Sequence, residues 1–181
     1  MKNTEVKKLT LIAMMTAILC ILAPLSIPIS NVPISAATLI VSFAAIILGT
    51  KYSLICVSLY ILLGIVGLPV FAGWGSGIGV LAGPTGGYLI GYFFIAFCTG
   101  FFLKLGKEKL TILAIGMLLG TVACYAFGTI WLAYQLSLDT KAALMAGVIP
   151  FIPGDVIKII VCLVVALPIR KLLKRNTMIV S

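Results

Sequence analysis

Histidine is absent from the 181 residues, and acids number only four: Glu5, Glu108, Asp139 and Asp155. General acid–base chemistry draws first on histidine and then on paired carboxylates, so an enzyme has almost nothing here to work with. An intramembrane aspartate dyad would need Asp139 and Asp155 both inside spans. The five cysteines (Cys20, Cys56, Cys98, Cys124, Cys162) fall in five different apolar stretches and form no C-x-x-C pair. Without histidine this argues against a zinc site and for cysteine as a small buried hydrophobe. No G-x-x-x-x-G-K-[ST] loop occurs, so the chain carries no ATPase motif of its own. The two halves show no convincing duplication of the kind secondary transporters carry.

Charge is scarce as well. Charged residues make up 9% and hydrophobic residues 62%. A soluble domain is nearer ~25% charged, so these polar groups cannot cover a globular surface. Lipid is therefore the expected solvent. At ~20 residues per spanning helix, there is room for six spans with short connections. The net charge of +9 does not imply nucleic-acid binding, because the basic residues sit at segment ends and form no stripe.

The expected architecture is an all-α integral membrane protein, a single membrane domain over residues 1–181. Its six spans fall at about 9–23, 36–49, 52–67, 85–103, 110–136 and 155–173. The basic, then apolar, start resembles a signal peptide. It reads as the first span instead, because everything after it is equally apolar. With six spans, Lys2, Lys7, Lys8, Lys51, Lys104, Lys107, Lys109, Arg170, Lys171, Lys174 and Arg175 all fall on one face. These are eleven of the thirteen basic residues. The excess of Lys and Arg makes that face cytoplasmic and puts both chain ends there. Only Lys141 and Lys158 belong to the other side.

Two connections on the outer side, residues 25–37 and 68–84, contain no charge. Pro24, Pro28 and Pro33 make the first an extended segment. Uncharged irregular backbone near a membrane is tolerated where it is buried in protein or lines a cavity. Residues 73–87, GWGSGIGVLAGPTGG, hold seven glycines. They can bring backbone amides close to a ligand. Equally, the G-x-x-x-G spacings Gly73/Gly77, Gly79/Gly83 and Gly87/Gly91 can pack helices. Both readings stay open on pattern alone.

The second candidate is PFIPGDVIK, residues 150–158. Asp155 and Lys158 lie three apart on an apolar helix and share a face. A charge at mid-membrane costs at least ~2.5–3.5 kcal/mol, so such residues usually have partners. One reading is a capping aspartate with a lysine reaching to the outer surface. The favoured one is a polar pair facing a cavity. Phe71, Trp74, Tyr88 and Tyr92 can line an apolar pocket or anchor at the membrane interface, and the same choice holds for Tyr125, Trp131 and Tyr134.

At GLPVFAGWGSGIGVLAGPTGGYLIGY (residues 67–92) and FIPGDVIK (residues 151–158) the chain resembles the BioY family. Those proteins are the biotin-binding S components of energy-coupling factor (ECF) transporters. The resemblance implies capture of biotin across a bacterial cytoplasmic membrane, with no cofactor. Energy would come from a transmembrane T subunit and two ATPase subunits. Asp155 would accept ureido N–H bonds, and Lys158 would donate to the ureido oxygen or to the carboxylate. Phe71, Gly73, Ser76, Gly83, Thr85, Gly86 and Tyr88 would hold the rest, under a lid that carries Asn31. Ala13 and Ala17 have the A-x-x-x-A spacing by which the family's first helix packs on the T subunit. The competing reading is a self-contained, ion-coupled small-molecule transporter.

Overall fold

The computed structural model describes residues 2–28 and 32–175. Its elements are α1 (Lys2–Leu22), β1 (Ser26–Ile27), β2 (Ile34–Ser35), α2 (Ala37–Leu48), α3 (Thr50–Ile65), α4 (Ile78–Ala82), α5 (Gly86–Leu105), α6 (Leu110–Leu136), α7 (Thr140–Gly147), α8 (Ile152–Val161) and α9 (Leu167–Arg175). A wider π-helical turn, Cys162–Ala166, joins α8 to α9. It lies just before Pro168, which has no N–H to offer the carbonyl one turn back. Among the described residues, three helical stretches are long and apolar enough to cross a membrane: Gly86–Leu105, Leu110–Leu136 and Thr140–Arg175. Ala37–Leu48 and Thr50–Ile65 are apolar but shorter. The protein is thus a helical membrane protein.

Glycine brings α5 and α6 together. A Cβ on Gly87 would strike Trp131, one on Gly91 would strike Cys124, and one on Gly116 would strike Phe102. Small residues let two backbones approach, which is how helices gain dispersion contact where lipid supplies no hydrophobic drive. Around this pair, Leu19 of α1, Val41 and Ala44 of α2, Val57 and Tyr60 of α3, and Ile95 of α5 form the main core. A second core joins Ile46, Leu103, Leu113, Met117 and the π-helical turn, through Cys162 and Leu163. Cys56, Cys124 and Cys162 are buried members of these cores.

One end of the bundle is capped by the uncharged connections. The proline-rich segment forms a two-residue antiparallel ribbon, Ser26 opposite Ser35 and Ile27 opposite Ile34, so the chain is not purely helical. Pro28 and Pro33 flank the pairs and keep the ladder short. The glycine-rich segment folds beneath it into a 3₁₀ turn and α4. The Gly73 amide donates to the Pro24 carbonyl at 3.1 Å. Gln135 Nε2 donates to the Ala82 carbonyl, and Trp131 Nε1 to that of Gly83 at 2.9 Å. The apolar stretch before Asp155 is also more regular than its two prolines suggest. Asp139 caps α7 by accepting from the Ala142 amide, and a short 3₁₀ turn with Pro150 leads into α8.

Candidate functional site

Asp155 has only 8% of its surface exposed, and a carboxylate so buried needs partners. It does not cap α8: the helix has no side-chain cap. Oδ1 instead pairs with Lys158 Nζ at 3.1 Å. Oδ2 accepts a hydrogen bond from the Tyr125 hydroxyl on α6. Lys158 does not reach outward either; its Nζ donates to Thr38 Oγ1 of α2 at 2.9 Å. Four side chains from α2, α6 and α8 therefore form one polar cluster, neutral overall. Its charge-assisted bonds are stronger than neutral ones.

The cluster forms one wall of a small cavity. Val32, Pro33, Tyr92, Ile95, Cys124 and Phe151 supply the apolar remainder, with Ser35 and Thr121 adding hydroxyls. A second chamber adjoins it and shares Val32, Pro33, Ser35, Tyr88 and Tyr92. It is bounded by Phe71, Ala72, Val80, Thr85 and Leu89. The free volumes are about 40 and 50 Å³, far below the ~300–1,000 Å³ of ordinary ligand pockets. The wall over both chambers is the segment that carries β2. The result is a cleft whose first chamber holds the charged pair and whose second carries hydroxyls and apolar side chains but, among the described residues, no charge.

The structure brings Asp155, Lys158, Tyr88, Phe71 and Thr85 to this cleft. Tyr88 contributes its ring, while its hydroxyl donates to the Gly147 carbonyl at 2.9 Å and lies 3.2 Å from Thr129 Oγ1. Phe71 is almost wholly buried and packs edge-on against Tyr60. Gly73 and Ser76 are exposed and line neither chamber. Gly83 and Gly86 shape the entry to α5 and also stand outside both linings; a Cβ on Gly86 would meet the Leu81 carbonyl. The amides of Gly73, Gly77, Val80, Gly83 and Gly86 already donate to backbone carbonyls. Asn31 lies outside the described residues. Ala13 and Ala17 sit together on the exposed face of α1, while Ile12, Met15, Thr16 and Leu19 turn inward.

Thr38, Tyr125 and Ser35 are the additions that sequence reasoning missed as site residues. Tyr125 carries no local signal that separates it from Trp131 or Tyr134. Thr38 and Ser35 stand beside the proline-rich segment, and that adjacency is the one cue the sequence offers for them.

Residues 1–175 match the BioY family. The chain belongs to that family. It is 37% identical over 176 residues to the biotin transporter BioY2 of Lactococcus lactis subsp. cremoris, covering 97% of each chain. With the biotin transporter BioY of Thermotoga maritima the identity is 38% over 157 residues, 87% of this chain and 92% of that one. The fold matches the crystal structure of the S-component for biotin from an ECF-type ABC transporter. The TM-score is 0.88 and the identity 37%, over 94% of both chains. The likeness thus extends far beyond the two motifs. BioY is a family of transport components, which agrees with a chain so poor in acid–base groups.

Proposed function

We propose that this BioY chain captures biotin as the substrate-binding S component of an ECF-type transporter in a bacterial cytoplasmic membrane. The observation that carries the reading is the neutral Asp155–Lys158–Tyr125–Thr38 cluster at one end of a cleft that holds no other charge among the described residues. Biotin has the matching polarity. Its ureido group offers two N–H donors and one oxygen, its sulfur ring is apolar, and its valerate ends in a carboxylate.

Asp155 accepts from ureido N–H, and Lys158 donates to the ureido oxygen. The opposite pose would set the valerate carboxylate against Asp155, and like charges in a dry site repel. The valerate then runs into the second chamber past Phe71 and Val80 towards Thr85. There the Thr85 hydroxyl lines the chamber at the N-terminal end of α5, whose helix dipole favours an anion. Because the chambers are small, entry requires outward movement of the wall that Val32, Pro33 and Ser35 form over both. That wall is the lid. Gly73, Ser76, Gly83 and Gly86 serve by shaping the second wall instead of touching biotin. No cofactor takes part.

Six spans in a single membrane domain, with both ends cytoplasmic, complete the reading. Lys8, Lys51, Lys104, Lys107, Arg170 and Lys174 come from four segments of the chain and line one cavity. Convergence of this kind requires an even number of crossings between the segments. A T subunit binds along Ala13 and Ala17, and two ATPase subunits supply the energy.

Equilibrium binding of radiolabelled biotin to the purified chain in detergent, without ATP or partners, tests this. Stoichiometric binding is expected. Asp155→Asn and Lys158→Met should each weaken it by tenfold or more. Unchanged affinity in both variants would remove the pair from the site. Uptake by the chain alone, driven by an ion gradient, would favour a self-contained transporter.

A further inference from the structure

The largest cavity described lies away from the biotin cleft, at the basic end of the bundle. Its volume is about 760 Å³. Lys8 of α1, Lys51 of α3, Lys104 of α5, Lys107 of the α5–α6 turn, and Arg170 and Lys174 of α9 all line it, against one acid, Glu108. Glu108 is already engaged: Arg170 Nε lies 2.9 Å from its Oε1, and Lys174 Nζ 2.5 Å from the same atom. Arg170 is committed further, since its Nη1 donates to the Ile46 and Ile47 carbonyls at 2.8 Å each. Lys8 pairs with the exposed Glu5. No hydrogen bond or ion pair to an acid holds Lys51, Lys104 or Lys107 among the described residues. Lys8 and Lys51 flank the Tyr52 ring, at 5.8 and 5.9 Å from its centroid.

We propose that this cavity binds the headgroup of an anionic phospholipid of the cytoplasmic leaflet. Three lysines without acidic partners converge on a concave space, and a phosphodiester supplies the missing charge. A lysine offers three rotatable donors to phosphate oxygens. The hydroxyls of Thr50 and Tyr52 belong to the same lining. Leu9 and Leu105, the chain neighbours of Lys8 and Lys104, are 66% and 62% exposed. Each pairs a cation with an apolar side chain, as a lipid with headgroup and acyl chains requires. The location decides between a lipid and a soluble anion. Helix ends that carry this charge lie in the headgroup layer, where anionic lipid is concentrated beside them. This placement rests on the membrane orientation proposed above but not on biotin binding.

A general basic face would attract such lipid without any cavity, so the control must have equal charge. Lys7, Lys109 and Lys171 belong to the same set of basic segments and do not line the cavity. The test purifies the full chain from mixed phosphatidylglycerol and phosphatidylcholine bilayers and counts the lipids retained by native mass spectrometry. Thermal melting in detergent verifies folding independently of ligand. Wild type should retain phosphatidylglycerol in preference to phosphatidylcholine. The variant Lys51→Gln/Lys104→Gln/Lys107→Gln should retain at least fivefold less. The variant Lys7→Gln/Lys109→Gln/Lys171→Gln should stay within twofold of wild type. Equal losses in the two variants, or no preference in wild type, would overturn the proposal. So would a cavity variant that keeps its lipid but no longer co-purifies with a T subunit, because the cavity would then serve a protein partner.

Discussion

Glu108 sits in the turn between α5 and α6 with φ of 64°, a left-handed conformation that costs a non-glycine residue free energy. Its contacts with Arg170 and Lys174 tie that turn to α9, and Arg170 continues the tie to the end of α2. Burial pushes the Glu108 carboxyl up, but hydrogen bonds from Lys174 and Arg170, together with their charges, outweigh it and hold the group below the usual range. A folded-state value below the unfolded one means that the contribution is complete above the ordinary glutamate value of ~4.3 and is lost as pH falls through the lower folded one. Glu108→Gln should therefore melt below wild type at pH 7, and the gap should close as the pH falls below the ordinary glutamate value. A gap of constant size across that range would show that Glu108 acts through shape and not through charge. The contrast with Asp155 bears on what a sequence reveals. Its spacing from Lys158 was legible because both sit on one helix face. Tyr125 and Thr38 complete the cluster from 30 and 120 positions away, and no local pattern encodes such a meeting. Three aromatics of α6 make the same point: Tyr134 is 84% exposed, Trp131 binds the Gly83 carbonyl and Tyr125 holds the aspartate.

At the scale of elements, the glycines of residues 73–87 serve helix packing and chain turns, and the amides of Gly73, Gly77, Gly83 and Gly86 are taken by backbone carbonyls. Gly87 and Gly91 lie on α5 and admit the α6 backbone. Gly73, inside the 3₁₀ turn, and Gly77, just before α4, take positive φ at 68° and 85° and bend the chain there. Gly79 does neither: nothing stands within 4 Å of where its Cβ would be. Gly87→Ala would drive a methyl into Trp131 and Gly128, and overpacking of this sort costs ~1–3 kcal/mol. Melting in detergent should fall by several degrees for Gly87→Ala and stay level or rise slightly for Gly79→Ala, where alanine suits α4 better than glycine does. Equal melting temperatures would mean that the α5–α6 contact yields freely. The spacing G-x-x-x-G was visible throughout the segment, but which copy lies in a helix depends on where the chain turns. That turn is fixed by contacts with Pro24, Gly64 and Trp131, all distant in sequence. Helix positions were legible because long apolar runs leave little choice in lipid. The β-ribbon was not, since proline-rich, uncharged sequence specifies extension without specifying a partner strand.

For the whole molecule, the two ends of the bundle have opposite chemistry, and this division organises what each can do. One end carries the uncharged ribbon and glycine-rich cap over the cleft; the other gathers the basic residues into a cavity. Between them α1 presents Ala13 and Ala17 outward, well apart from the Asp155 cluster in the lining of the cleft. If α1 is the docking face for a T subunit, binding and assembly are separable functions of one chain. Small residues at that spacing permit close helix approach, and leucine at both positions would block it while facing only lipid in the isolated protein. The double variant Ala13→Leu/Ala17→Leu should therefore bind biotin within twofold of wild type when purified alone. It should also fail to co-purify with the T subunit and ATPases, and lose uptake in cells. Loss of biotin binding would show that α1 transmits strain to the cleft. Intact assembly would move the docking face elsewhere on the bundle, with the exposed apolar residues of α6 as the next surface to block.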